Sequence, residues 1–253
     1  MDPAARRDMP EVVAVLLAAG RGVRMGGVMP KTLIPLEEDG PLLDYILRGI
    51  AGAGVGKLVV VTGFMPDALK RHVASCDAAL DVTFVHNPLW EERGNYHSLR
   101  VALEALPQRA VLAINCDVIV VPKVYQRVAS AEADLALAVQ RRNDLNQEDM
   151  RVRVEDGSVT AISKQLDMSE SHGEFAGVSL LRPAAAGRYI TTCDRNDRAG
   201  RTSGYYEDVF AQILDDRPAA AVEVPMNGYA EVDVPEDVPA ARAVIASNRG
   251  AWG

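Results

Sequence analysis

Four glycines and three cations lie close together between Gly20 and Lys31 of this 253-residue chain, in GRGVRMGGVMPK. Gly20, Gly22, Gly26 and Gly27 carry no Cβ and let backbone N–H groups approach phosphate oxygens, while Arg21, Arg24 and Lys31 add fixed positive charge. Such a loop suits a polyanion, and a nucleoside triphosphate would use every part of it. Two common phosphate motifs do not fit. In a G-x-G-x-x-G fingerprint Met25 occupies the place of the third glycine, and in a P-loop the lysine follows a glycine, whereas Lys31 follows Pro30. An ordinary glycine-rich surface loop is the plain alternative.

The elements that must position this loop follow from hydrophobic periodicity. Val12, Val13, Val15, Leu16 and Leu17 show no alternation, which predicts a parallel strand buried on both faces. The pattern then predicts a helix over 42–53, a strand over 57–62, a helix over 67–74 and a strand over 81–86. A helix over 95–106, with the stripe Leu99, Ala102, Leu103 and Leu106, and a strand over 110–115 follow. This βαβ series predicts an α/β fold, a Rossmann-like mixed and mostly parallel sheet with helices on both faces and its ligand at the carboxyl ends of the strands. Asp117, just past the apolar run VLAIN, falls at that edge. Beyond Asp134 shorter strands are expected over 135–140, 150–155 and 158–163, the last two joined by a tight Asp156-Gly157 turn. No repeat or linker divides the chain, so one domain with a core from Val12 to about Ala246 is expected.

A chain with 48% hydrophobic residues can bury a full core, and a net charge of -8 without a basic stripe argues against a nucleic-acid surface. Cys76, Cys116 and Cys193 are widely spaced without a C-x-x-C pair, pointing to a reducing compartment and away from a disulfide framework or zinc site. Arg6 and Arg7 before an apolar run imitate a signal peptide, but Asp8, Pro10 and Glu11 interrupt it. No run is long enough to span a membrane, and a cytoplasmic location is expected.

The segments LAAGRGVRMG with PKTLIPL, INCDVIV, EFAGVSLL, YYEDVF and NGYAEVDVPEDVPAA follow the order found in nucleotidyltransferases that join a nucleoside triphosphate to a small phosphate. The chain resembles that sugar-phosphate nucleotidyltransferase-like family. NPLWEERGNYHSL is similar to the bacterial branch of phosphocholine and phosphonate cytidylyltransferases. The resemblance implies an enzyme in which an acceptor oxygen attacks the α-phosphorus of CTP, with Mg²⁺ as cofactor and pyrophosphate as leaving group. It implies Lys31 near the α-phosphate and Arg24 with Arg21 on the β and γ phosphates. Asp117 and Asp233 become the metal ligands; each has an alternative as a turn or helix cap. Ala18, Ala19, Gly20 and Gly22, with Asn87, Asn95 and Ser98, become the nucleotide-contacting set, Asn95 being equally suited to cap the helix after it.

For the acceptor, the resemblance points to Lys164, Gly177, Tyr205, Glu207 and Asp208. Trp90, Tyr96, Tyr205 and Tyr206 offer aromatic faces for a quaternary ammonium, whereas Arg141, Arg142 and Arg153 would favour an acceptor with an extra anionic group, such as phosphonoformate. Glu207 and Asp208 suit an ammonium or metal, and equally a helix dipole. Sugar 1-phosphates with UTP, GTP or dTTP are the alternative substrates, and a non-catalytic nucleotide-binding regulator is the alternative class. Residues 188–204, polar and rich in turn formers, are expected to be a lid ordered by substrate, a contact to a partner subunit, or a disordered loop. Oligomeric state is left open, a homodimer being the form to test.

Overall fold

The computed structural model describes residues 11–37, 40–76 and 79–252; the Arg6–Arg7 stretch lies outside them. In chain order the strands and α-helices are β1 (Val12–Ala18), β2 (Pro35–Glu37), β3 (Gly40–Pro41), α1 (Leu42–Gly52), β4 (Lys57–Thr62), α2 (Pro66–Ser75) and β5 (Asp81–His86). Then come α3 (Tyr96–Ala105), β6 (Ala110–Asn115), β7 (Val118–Val120), α4 (Pro122–Ala129), β8 (Leu135–Gln140), β9 (Arg151–Glu155), β10 (Ser158–Ser163) and β11 (Gly173–Leu181). The chain continues through α5 (Pro183–Arg198), α6 (Tyr206–Leu214), β12 (Ala219–Glu223), β13 (Tyr229–Glu231) and α7 (Val238–Ser247).

Nine strands form one sheet in the order β5-β4-β1-β6-β11-β8-β12-β10-β9. The first four run parallel, and β11 lies antiparallel between β6 and β8. From β1 the chain moves outward to β4 and β5, then returns to place β6 on the other side of β1. That reversal opens a crevice above the carboxyl ends of β1 and β6, where α/β sheets bind ligands. At the far end β9 pairs with β10 and also meets the first residues of β11.

The unalternating sequence of β1 serves two cores. Ala14, Leu16 and Ala18 face a cluster with Leu43, Ile46 and Tyr125, while Val13, Val15 and Leu17 face another with Leu99, Tyr189 and Phe210. The expected α/β architecture is therefore present. The Asp156-Gly157 turn has φ of 47° and 77°, the left-handed pair a two-residue hairpin needs. Among the described residues no helix is long and apolar enough to cross a membrane.

The expectation for residues 188–204 is corrected. Residues up to Arg198 belong to α5, whose Ala185, Tyr189, Thr192, Cys193 and Asn196 are buried on one face. Asp197 accepts hydrogen bonds from Arg93 Nη1 at 2.6 Å, Tyr96 Oη at 2.6 Å and Arg100 Nη1 at 3.0 Å, tying α5 to α3 and the loop before it. The following turn is held where Gly94 N–H donates to Thr202 O at 3.0 Å. Polar composition suggested a loop, but the buried stripe and these ion pairs make a helix.

Candidate active site

The glycine-rich loop leaves β1 and folds over the stem of Lys31. Gly22 has φ of 63°, and a Cβ there would stand 3.1 Å from Lys31 Cβ, so the left-handed turn and the close approach both call for glycine. Lys31 is 8% exposed and begins a short 3₁₀ turn after Pro30. Its Nζ lies 3.1 Å from Asp117 Oδ2 and also ion-pairs with Asp233. Arg24 Nη1 lies 2.8 Å from Asp233 Oδ2, its side chain largely in solvent. Burial pulls the Lys31 pKa down, but Asp117 and Asp233 outweigh it and hold the pKa above its ordinary value. The lysine is therefore charged at neutral pH.

The two acids meet because β7 and β13 pair antiparallel, with Glu231 opposite Val118. Just beyond the paired strands, Val232 N–H donates to Asp117 O at 2.8 Å. Val232 points into the core, so its neighbours Glu231 and Asp233 share the other side, toward Asp117. Carboxylate oxygens of Asp117, Glu231 and Asp233 all lie within 4.8 Å of one another. Glu231 escaped the sequence reading, although its E-x-D spacing with Asp233 on a strand was the available signal. Burial of its carboxyl and repulsion from Asp117 and Asp233 push Glu231 up to about 9. Because the residue as a whole is exposed, the crowding of like charges carries most weight.

The capping alternatives for the two aspartates fail. Asp237 Oδ2 accepts the N–H groups of Asp233 and Val234 at 2.8 and 2.9 Å, leaving the Asp233 carboxylate to Lys31 and Arg24. The residue before α4 is Val121, with no side-chain cap, and Asp117 Oδ1 is buried without a hydrogen-bond partner.

Beside this cluster lies a pocket of about 160 Å³. Its walls include six acids, Asp117, Glu148, Glu174, Glu207, Glu231 and Asp233, against two cations, Arg24 and Lys164. Phe175, Tyr205 and Tyr229 supply aromatic surface. Glu207 is 5% exposed, one carboxylate oxygen has no hydrogen-bond partner, and burial followed by repulsion from nearby acids pushes it up to about 8. Glu174 is also raised by burial, although Arg142 Nη1 at 2.7 Å opposes the shift. Asn95, also in the pocket wall, does not cap α3; its Oδ1 accepts Tyr206 N–H at 2.8 Å and so secures the start of α6. Tyr206 Oη in turn donates to Asn115 Oδ1 at 2.7 Å.

Residues 14–202 match the family model described as the MobA-like NTP transferase domain. The chain belongs to that family. This MobA-like chain is 32% identical over 218 residues to the CMP-5'-(3-aminopropyl)phosphonate synthase of Streptomyces rubellomurinus, covering 79% of itself and 33% of that protein. It is 32% identical over 179 residues to the bifunctional protein GlmU of Corynebacterium aurimucosum, covering 68% of itself and 37% of the relative. It thus spans about a third of the length of these two relatives. CTP:phosphocholine cytidylyltransferase from Streptococcus pneumoniae superposes with a TM-score of 0.74 at 18% identity, covering 93% of this chain and 99% of the other. The inositol-1-phosphate CTP transferase from T. maritima does so with a TM-score of 0.74 at 19% identity, covering 93% and 96%. Both likenesses concern the fold.

Other residues singled out in the sequence take different places in this MobA-like domain. Arg21 is turned from the Lys31 cluster: its Nε donates to Gly27 O at 3.3 Å and its guanidinium lies 5.4 Å from the Phe64 ring centre. Asn87 is fully buried; its Nδ2 donates to Ser98 Oγ at 3.0 Å and its Oδ1 accepts Leu89 N–H, so the pair braces the loop before α3. Ala18 and Ala19 are buried at the strand end, where Ala19 O accepts Phe64 N–H at 2.9 Å, and Gly20 is exposed beside them. Gly177 does not line the pocket. At φ of 70° its missing Cβ makes room for Val118 and Asn115, holding β11 against the strand end that bears Asp117. Asp208 accepts Tyr205 N–H at 2.7 Å and acts as a helix cap outside the pocket wall. Lys164 Nζ lies 5.4 Å from the Tyr205 ring centre and 3.7 Å from Glu148. Arg141 and Arg153 pair with Glu223 and Glu170 outside the pocket.

Proposed function

We propose that this chain is a cytidylyltransferase that transfers CMP from CTP to a small phosphate or phosphonate, and that the acceptor carries an amine or quaternary ammonium group. The convergence of Lys31 and Arg24 on Asp117 and Asp233 above the β1–β6 crevice carries the nucleotidyl-transfer reading. An acceptor oxygen would form a bond to the α-phosphorus as the bond to the β-phosphate breaks, and pyrophosphate would leave. Both reactants are anions, so the main catalytic need is charge neutralisation and alignment.

Hard carboxylate oxygens suit Mg²⁺, and the unpartnered, buried Asp117 Oδ1 beside Glu231 and Asp233 fits such an ion. Asp117 and Asp233, with Glu231, would hold Mg²⁺, which when bound supplies charge neutralisation to the triphosphate. Lys31, fixed by its buried stem, offsets negative charge on the transferred phosphoryl group. Arg24, exposed at its tip, can leave Asp233 for the outer phosphates. The loop glycines contribute backbone N–H groups at close approach.

The acceptor reading rests on the acidic and aromatic pocket. An ammonium group would satisfy the orphan Glu207 oxygen and relieve repulsion among the carboxylates, whereas the extra anion of phosphonoformate would add to that repulsion. Of the three arginines that favoured an anionic acceptor, Arg141 and Arg153 are paired outside the pocket, and Arg142 is held by Glu174 of its wall. Similarity to a CMP-aminoalkylphosphonate synthase agrees with this chemistry. A sugar 1-phosphate is the second reading, as the resemblance to sugar-phosphate nucleotidyltransferases implies, but a neutral sugar gives the carboxylates no charge partner.

Pyrophosphate release decides between these readings. With Mg²⁺, CTP should outperform UTP, GTP and ATP, and 2-aminoethylphosphonate, 3-aminopropylphosphonate or phosphocholine should outperform phosphonoformate and sugar 1-phosphates. A preference for phosphonoformate or a sugar phosphate would overturn the acceptor assignment, and silence with every pair would favour a nucleotide-binding regulator.

A further inference from the structure

A second cluster lies on the helices α1 and α2. His72 and Cys76 stand four positions apart, on one side of the end of α2, and Asp44 projects from the first turn of α1. Asp44 Oδ1 lies 2.6 Å from His72 Nε2 and 3.4 Å from Cys76 Sγ. One ligand atom from each residue falls within 4.8 Å of the other two, and all three residues are half-buried. Asp44 Oδ2 lies close against Gly40, in space that a Cβ at that position would fill.

We infer that Asp44, His72 and Cys76 form a Zn²⁺ site that clamps α1 to α2, with its fourth position facing the adjacent cavity. Imidazole and thiolate select zinc over the hard Mg²⁺ ion. One carboxylate and one thiolate neutralise Zn²⁺ without a further acid, and the Cys76 thiol gives its proton to solvent on coordination. Tetrahedral zinc bonds separate ligand atoms by roughly 3.3–3.6 Å, so the His72–Asp44 hydrogen bond opens by less than about 1 Å, within the reach of side-chain rotation. The cavity, about 610 Å³, is lined by all three ligands together with Leu47, Arg48 and Trp252, giving the metal an approach path and an open position. Helix dipoles can account for Asp44 and His72 singly, but not for the convergence of three different donor types on one point. The sequence has no C-x-x-C pair to signal zinc; its H-x-x-x-C spacing meets an aspartate from another helix only in the fold.

Cobalt titration of the full chain, stripped of metal by a chelator, tests the site. One equivalent should produce a thiolate-to-cobalt charge-transfer band that Zn²⁺ abolishes by displacement. The band should vanish in Cys76→Ser and persist in Asp117→Asn, whose carboxylate belongs to the separate acidic cluster. His72→Ala should weaken binding by about a hundredfold, at or above the loss typical of an outer-sphere partner. If Cys76→Ser fails to fold, alkylation of Cys76 in the wild-type chain supplies the test: Zn²⁺ at ten times its Kd should slow modification about tenfold, and Mg²⁺ should not. No thiolate band with unprotected Cys76, or metal binding that follows Asp117 and ignores Cys76, would overturn the site. Neither result depends on nucleotidyl transfer, so this inference and the proposed activity can fail separately.

Discussion

The two sides of the crevice manage charge in opposite ways. On the loop side each cation at the cluster has an acidic partner: Lys31 has Asp117 and Asp233, and Arg24 has Asp233. On the α6 side, leaving out the residues shared with the loop side, Glu148, Glu174 and Glu207 line the pocket with one cation, Lys164; Glu207 keeps an oxygen without a partner, and burial favours its neutral form. A polyanion with its metal can divide the ion pairs on the first side, taking the cations while the metal takes the acids. The second side is short of positive charge, and a cationic group would complete it. Under the proposed function, the difference would give each side one reactant.

The hardest test of that contrast is Lys31→Met. It should reduce kcat by roughly 10²–10³-fold at saturating acceptor, the loss expected for one aimed electrostatic contact, as measured by pyrophosphate release. Glu207→Gln should leave the KM for CTP nearly unchanged and raise that for 2-aminoethylphosphonate about tenfold, equivalent to about 1.4 kcal/mol of binding. If both variants altered only CTP binding, the division into two sides would be wrong.

Glu207 also makes a stability test. Its folded pKa of about 8 exceeds its ordinary value of 4.5, so the folded chain holds an extra proton between those values. Stability of the ligand-free protein contributed by this group falls as pH rises from about 4.5 to 8 and levels off above that. Urea unfolding should find Glu207→Gln more stable than the wild type at pH 8, with the gain fading toward pH 4.5. A variant less stable at pH 8 would mean that the carboxylate has a partner after all.

Smaller effects should follow outside the pocket. Asp237→Ala removes the acceptor for the Asp233 and Val234 N–H groups and should cost about 1 kcal/mol in thermal unfolding, as lost caps do, with a modest fall in turnover as Asp233 loosens. Arg141→Ala breaks only an exposed pair with Glu223 and should change stability by less than about 1 kcal/mol, with acceptor KM unchanged. A large KM increase there would restore the anionic-acceptor alternative.

The nucleotide half was legible because its strands are continuous apolar runs whose ends are set by charge and glycine. The expected strands over 57–62, 81–86 and 110–115 coincide with β4, β5 and β6. Lys31, Asp117 and Asp233 are brought together, as the family resemblance implied. Glu231 was missed because its E-x-D spacing with Asp233 shows which way both acids face only once Val232 is known to point inward. Arg21 carried the same charge as Arg24, and sequence cannot reveal that it lies against Phe64. In residues 188–204 the buried positions of α5 recur at helical spacing, but Thr, Asn and Asp at those turns and the glycines beyond them hid the period; burial against α3 and α6 overrode local propensity.

The β7–β13 ribbon has a consequence for synthesis on the ribosome. The loop bearing Lys31 and the strand leading to Asp117 leave the exit tunnel before the segment that delivers Glu231 and Asp233 is made. Until it pairs, the nascent protein has a cationic cradle with one acid to answer it, and the reaction centre is incomplete. Competence therefore waits for β13 to pair with β7, and a translation product ending before Tyr229 should be inert even if its parallel strands have already folded.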